Sequence, residues 1–270
     1  MNRTWSRWIA GLALGLTALL GTGCDKLRAR DQLNQGVQAY RNARYPEAVE
    51  RFKKAVELDP TFPTARLYLA TAYMMQYIPG AESPENFQMA EAAHQNFLKV
   101  LEQDPKNTVA LASIASLYFN QKNFEEAQEW NRKLVQVDPK NRDAYYTLGV
   151  IAWTKAFQAD AEARARLGMR PEDPGPLKDK KLRDELRAKN WDMIEQGLKD
   201  LDRALEMDKE YDEAMAYMNL LFRQRADLQD TPEAYNKDTE SADTWIQKTL
   251  ETKKIKAART PGAGGIQTGK

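Results

Sequence analysis

The 270-residue chain holds a single cysteine, Cys24, and a single histidine, His94. One cysteine leaves no intrachain disulfide framework and no multi-cysteine metal site, and one histidine argues against a histidine-based metal site or His-rich catalysis. Glycine and proline are sparse, at 14 and 12 residues, which is too few for a loop-rich sandwich. A charged fraction of 29% favours helices instead. An excess of one charge is also missing: 40 Lys and Arg stand against 39 Asp and Glu, which argues against a nucleic-acid binder built on bulk positive charge. The sequence shows no P-loop, no dinucleotide fingerprint and no metal-ligand spacing. His94 reads as a satisfied surface or half-buried side chain. Carboxylate pairs such as Glu125-Glu126 read as solvated helix face, with no partner base or ligand set. The expectation is a protein with no catalytic residues, no metal and no cofactor.

The start of the chain is basic and then apolar. Arg3 and Arg7 precede an uncharged run from Trp8 to Leu20. As a helix this run would reach ~20 Å, short of the ~30 Å hydrocarbon core of a bilayer. A basic start, a short apolar middle and the small residues Gly21, Thr22 and Gly23 before Cys24 give the pattern of a secretory signal over 1–23. The end of this segment resembles a bacterial lipobox, with Gly21 where such boxes carry Leu and Leu20 one place earlier. That resemblance implies cleavage before Cys24, acylation of its thiol and new amine, and a short lipid-anchored linker over 24–28. Two or three acyl chains hold a protein on a membrane where one does so weakly. The other reading is an ordinary signal, or an uncleaved anchor, with an incidental cysteine. The implied address is exported and lipid-anchored to a bacterial membrane, facing the periplasm. Cleavage removes Arg3 and Arg7 and leaves 38 basic against 39 acidic residues, so no bulk charge attracts the mature chain to anionic lipid.

The body repeats itself. Asp-Pro follows apolar-periodic stretches at Asp59-Pro60, Asp104-Pro105 and Asp138-Pro139, and a fourth copy, Asp208-Lys209, lacks the proline. Pro105 and Pro139 lie 34 residues apart. Gly36, Tyr45, Ala48, Phe52, Ala55 and Pro60 in one copy, and Leu111, Ala115, Tyr118, Phe124, Ala127 and Pro139 in another, recur in order. Asn131 stands in the second copy where the first has Phe52, with Trp130 beside it. The ordered set resembles the tetratricopeptide repeat, a pair of antiparallel helices. The resemblance implies an all-α, right-handed α-solenoid over 29–252 with about five pairs, near 29–62, 63–107, 108–141, 142–211 and 212–252. Small residues would let helices approach closely, aromatics would fill the wedges, and stacking of pairs would make the core.

Extra residues fall between the helices of a pair, around 77–84 and within 155–190. The second of these is expected as a long helix running on from Trp153, a Pro-rich turn and a short charged helix near 178–189. A register that ends a repeat at Asp173-Pro174 is disfavoured, because 158–167 offers mainly Ala among charges. The tail, 253–270, is basic, free of acids and glycine-rich at its end, and reads as disordered.

In this family the first helix of each pair lines a concave face. Its groove positions correspond here to Tyr40, Met74, Phe119, Trp153 and Arg223, with Tyr146 added in the fourth repeat. Aromatic and Met side chains with a cation suit an extended or helical segment of a protein partner, although packing against the next helix is an equal alternative for each of them. Leu33 and Val37 occupy the first positions of the Lys/Asn clamp that some members use for acidic chain ends, so no such ligand is expected. The leading expectation is a membrane-tethered adaptor for a protein partner in envelope assembly, secretion or pilus biogenesis. Its rivals are a self-associating structural envelope protein and a hydrolase of wall polymers acting through the inserts.

Overall fold

The computed structural model describes residues 24–170 and 173–259, so the expected leader and residues 260–270 lie outside it. The described residues form helices and no strand. The helices are α1 (24–41), α2 (Tyr45–Leu58), α3 (Pro63–Met74), α4 (Pro84–Gln103), α5 (Thr108–Asn120), α6 (Phe124–Val137), α7 (Arg142–Arg166), α8 (Lys180–Met207), α9 (Asp212–Asp227) and α10 (Pro232–Arg259). Successive helices pack as pairs, α3 with α4, α7 with α8 and α9 with α10. The expected all-α class is the one found.

Short-range chemistry sets the helix ends. The aspartate of each Asp-Pro copy folds back on the chain that follows it. Asp59 accepts from the Thr61 amide at 3.1 Å, Asp104 from Lys106 at 3.2 Å, Asp138 from Lys140 at 3.1 Å and Asp208 from Glu210 at 2.9 Å. The next helix opens four residues after each of these aspartates, at Pro63, Thr108, Arg142 and Asp212. The carboxylate turn is therefore common to all four copies, which is why Asp208 works without a proline behind it. Asn107 and Asn141 then cap α5 and α7 by accepting from Ala110 and Ala144, each at 3.0 Å.

The two uninterrupted hairpins turn alike. Ala43 and Lys122 hold φ of 56° and 61°. The following amides, Arg44 and Asn123, reach back to the Ala39 and Tyr118 carbonyls, each at 2.9 Å. This is a left-handed helix stop made without glycine. At the end of α7 the same stop uses Gly168, φ 64°, with the Met169 amide on the Arg164 carbonyl at 2.9 Å.

The chain divides into two compact units, one ending at Trp130 and the other beginning at Asn131. In the first, Phe52 fills the α1–α3 core with Leu33, Val49 and Leu69, while Phe97, Ile114 and Leu117 fill a second cluster toward α5. A methyl on Gly36 would overlap the Phe52 ring. In the second unit, Ile194, Leu201, Met218 and Leu221 centre the core. Two glycines set the crossing of α7 and α8 there. A Cβ on Gly197 would stand 2.5 Å from the Ala152 methyl, and one on Gly149 would overlap Leu201.

Three segments differ from expectation. Residues 24–28 are the first turn of α1, not a linker, because they contain no Gly or Pro to stop a helix. The short charged helix near 178–189 is the opening of the single long helix α8, which Asp179 caps by accepting from the Leu182 amide at 2.8 Å. The basic tail is helical as far as Arg259. Two of its cations are paired: Lys256 with Asp212, and Arg259 with both oxygens of Glu210 at 2.8 and 2.6 Å.

Candidate functional site

The six residues assigned to a groove fall into different settings. Tyr40 and Phe119 sit at equivalent points before the two hairpin turns. Each makes an edge-to-face pair with the aromatic that opens the next helix, Tyr40 with Tyr45 at 5.4 Å and Phe119 with Phe124 at 5.7 Å. They are half-buried braces of their own hairpins. Met74 packs against the cluster of Phe97 and Ile114. The other three, Tyr146, Trp153 and Arg223, share the second unit.

There Arg223 pairs with Asp243 at 2.7 Å, while Tyr146 and Trp153 join a continuous row of rings carried by α7, α9 and the residue that precedes α9. Tyr211, Tyr146, Tyr217, Trp153 and Phe157 follow one another with centroids 5.0, 5.7, 5.4 and 5.2 Å apart. The Arg142 guanidinium lies over Tyr211, 4.4 Å from its centroid. All the rings but Phe157 are half-buried, and Phe157 is exposed. Burial pushes the Tyr146 phenol up to about 12 and raises Tyr211 and Tyr217 as well, so the three keep their protons and act as neutral donors near neutral pH. Tyr211 and Tyr217 were missed in the sequence because they lie off the position that supplied the other candidates.

The row runs into a cleft of about 570 Å³ lined in part by Trp153, Phe157, Asp160, Arg164, Asp227 and Tyr235, a volume in the range of small-ligand sites. The insert builds it. Beyond the repeat length, α7 carries Asp160 and Arg164, both buried. Arg164 donates to Asp160 Oδ2 at 3.0 Å and Asp227 Oδ2 at 2.7 Å, and to the Arg170 and Asp173 carbonyls at 3.2 and 2.9 Å. One guanidinium thus ties α7, the following loop and α9 together. The loop is pinned further by the Gly175 amide on the Tyr235 hydroxyl at 3.1 Å, and by the Leu177 amide on the Asp227 carbonyl at 3.1 Å. Leu177 itself is fully buried.

The electrostatics are unbalanced. Asp160 Oδ1 is buried, with no hydrogen-bond partner among the described residues. Burial, reinforced by the Asp227 carboxylate and opposed by Arg164, pushes the Asp160 carboxyl up to about 6. Burial also raises Asp227 against the pull of Arg164. Spacing could have flagged Asp160 and Arg164 as an i,i+4 pair. Their burial was not legible, because 158–167 read as alanines among surface charges.

Elsewhere, His94 Nε2 lies 3.4 Å from the Tyr118 hydroxyl and the rings meet edge to face. Burial lowers its pKa against the pull of Glu91. Cys24 is exposed at the start of α1. Among the described residues no His, Cys, Asp or Glu grouping could hold a metal ion, and no helix is long and apolar enough to cross a membrane.

These features define a helical-hairpin repeat protein whose second unit offers an aromatic surface and a cleft. Family models of the tetratricopeptide repeat match residues 44–76 and 88–153, so the chain carries such repeats. The fold matches solved repeat solenoids. The crystal structure of MamA superposes with a TM-score of 0.58 at 14% identity, over 88% of this chain and 98% of that one. YrrB, described as a TPR protein with an unusual peptide-binding site, superposes with a TM-score of 0.53 at 14% identity, over 85% and 91%. Sperm-associated antigen 1 of Mus musculus is 30% identical over 123 residues, 46% of this chain but 12% of that much longer protein.

Proposed function

We propose that this chain is an exported, membrane-tethered adaptor that holds a protein partner in envelope assembly, secretion or pilus biogenesis and works without covalent chemistry. The observation that carries the reading is the row from Tyr211 to Phe157. Ring surfaces with fixed neighbours provide apolar area at low entropic cost, and neutral phenols provide donors for a partner backbone. The partner segment lies on the α7 and α9 face, the concave side of the second unit's hairpins. The peptide-binding site described for YrrB supports the same use of the fold. The tether is lipid on Cys24, which is exposed.

A photoreactive residue at position 217 in living cells tests the surface. It is expected to capture one reproducible partner, and Trp153→Ala is expected to abolish that product. Capture from Val109, exposed in the first unit, with none from 217 would overturn the assignment. Labelled palmitate tests the tether. Wild type is expected to incorporate it and sediment with membranes, and Cys24→Ser to do neither; a soluble, unlabelled wild type rejects the anchor.

A further inference from the structure

Most of the large apolar side chains that stand exposed among the described residues fall in two short stretches. Met75, Ile78 and Phe87 lie in and beside the insert between α3 and α4, with Ile78 64% and Phe87 54% exposed. Leu250 and Ile255 lie in the last three turns of α10. The first stretch is held in place by its own hydrogen bonds. The buried Asn86 side chain accepts from the Ile78 amide at 2.7 Å and donates to the Ile78 and Ala81 carbonyls at 2.9 and 2.8 Å. Ser83 caps α4 by accepting from the Asn86 amide at 3.2 Å. A loop fixed in this way needs little further ordering when another surface docks on it, and exposed apolar groups gathered on a fixed edge mark an interaction site.

Charge separates the two stretches. From 67 to 98 the chain has no Lys or Arg, and Glu82 and Glu85 are exposed there with no ion pair among the described residues. From 244 to 259 it has one acid, Glu251, and five cations. Three of the five face carboxylates of the same unit: Lys253 and Lys256 face Asp212, and Arg259 faces Glu210. Lys248 and Lys254 are exposed, and neither meets a carboxylate among the described residues. Leu250 and Lys254 are four residues apart, and Lys248 and Ile255 seven, so each pair shares a face of α10. We infer that the insert edge is an interface for a second copy of this chain, and that its occupant is the end of α10 in that copy, with Leu250 and Ile255 against the apolar groups and Lys248 and Lys254 against Glu82 and Glu85. Apolar area holds such a contact, and opposite charges choose which surfaces meet. An anionic membrane is the wrong partner for an edge that bears carboxylates and no cation. Neither surface includes the aromatic row, so the proposal does not rest on the adaptor reading.

The experiment places a photoreactive residue at position 88, exposed next to Phe87, in the full chain in living cells, together with a second copy that carries a different tag. Irradiation is expected to give a product that holds both tags, with the crosslink mapped by mass spectrometry to 246–259. Glu82→Lys with Glu85→Lys, on the photoreactive copy, is expected to lower the yield about tenfold, because two surface attractions become repulsions. Lys248→Glu with Lys254→Glu on the other copy is expected to do the same, and pairing the two reversed copies is expected to restore the product. All four positions are exposed, and the restored pair shows that both variants fold. Phe87→Ala leaves the charges untouched and is expected to lower the yield about fivefold, as truncation of an interface anchor does. A product with other proteins alone, no product with both tags, a crosslink outside 246–259, or a yield that the reversals leave unchanged or their pairing does not restore overturns the assignment.

Discussion

Replacing Asp160 with asparagine keeps the side-chain shape, and keeps an oxygen able to accept from Arg164 Nε, but removes the surplus buried charge. The folded chain holds the Asp160 proton up to about pH 6, whereas an unfolded chain releases it near the ordinary value of 3.8. The native state therefore binds more protons than the unfolded state between those limits, and wild type loses stability as pH rises through that window. Above about pH 6 the loss is complete. At ~1.4 kcal/mol per pH unit, the rise in pKa corresponds to roughly 3 kcal/mol. Asparagine does not titrate, and every other group of the chain is common to both proteins. The stability difference, variant minus wild type, is expected to grow by about 2.5 kcal/mol in favour of the variant between pH 4 and pH 7 and then to level off, the remainder lying below pH 4. Urea unfolding at fixed pH values measures it, read through tryptophan fluorescence, because Trp153, Trp191 and Trp245 all lie in the second unit. A difference that stays flat across this range, or moves toward wild type, refutes the buried-charge argument.

Other perturbations probe the frame around the site. Gly197→Ala places a methyl 2.5 Å from the Ala152 Cβ; overpacking is expected to outweigh the gain in helix propensity and to cost about 1–2 kcal/mol, seen as a lower melting temperature. Arg164→Met strands two buried carboxylates and unties the loop after α7, so a loss of about 3–5 kcal/mol is expected, together with faster proteolysis between 167 and 179. Lys122→Gly relieves a left-handed residue, φ 61°, and is expected to stabilise the α5–α6 hairpin by up to about 1 kcal/mol, measured as a shift in urea midpoint.

Much of the frame was written in local pattern. The four aspartates that turn the chain between pairs, the asparagine caps and the recurring small and aromatic positions act over a few residues, so their effect could be read where they stand. Gly36 and Phe52 even face each other as the repeat pattern implies. The candidate site was legible only in part. Tyr146 and Trp153 were named; Tyr40 and Phe119, at the same repeat position as Trp153, lie outside that row and pair with the aromatic at the opening of the next helix.

The sequence by itself determined the helical class, the pairing of helices and the places where insertions interrupt them, since capping, breaking and apolar period are properties of adjacent residues. Only the tertiary structure decided what the long insert does. Asp160, Arg164, Asp173, Gly175 and Asp227 come from three segments, and folding alone brings them together. Charges among alanines look like surface until another helix covers them, and burial, which gives Asp160 its unusual proton affinity, is a property of that covering and not of the chain around it.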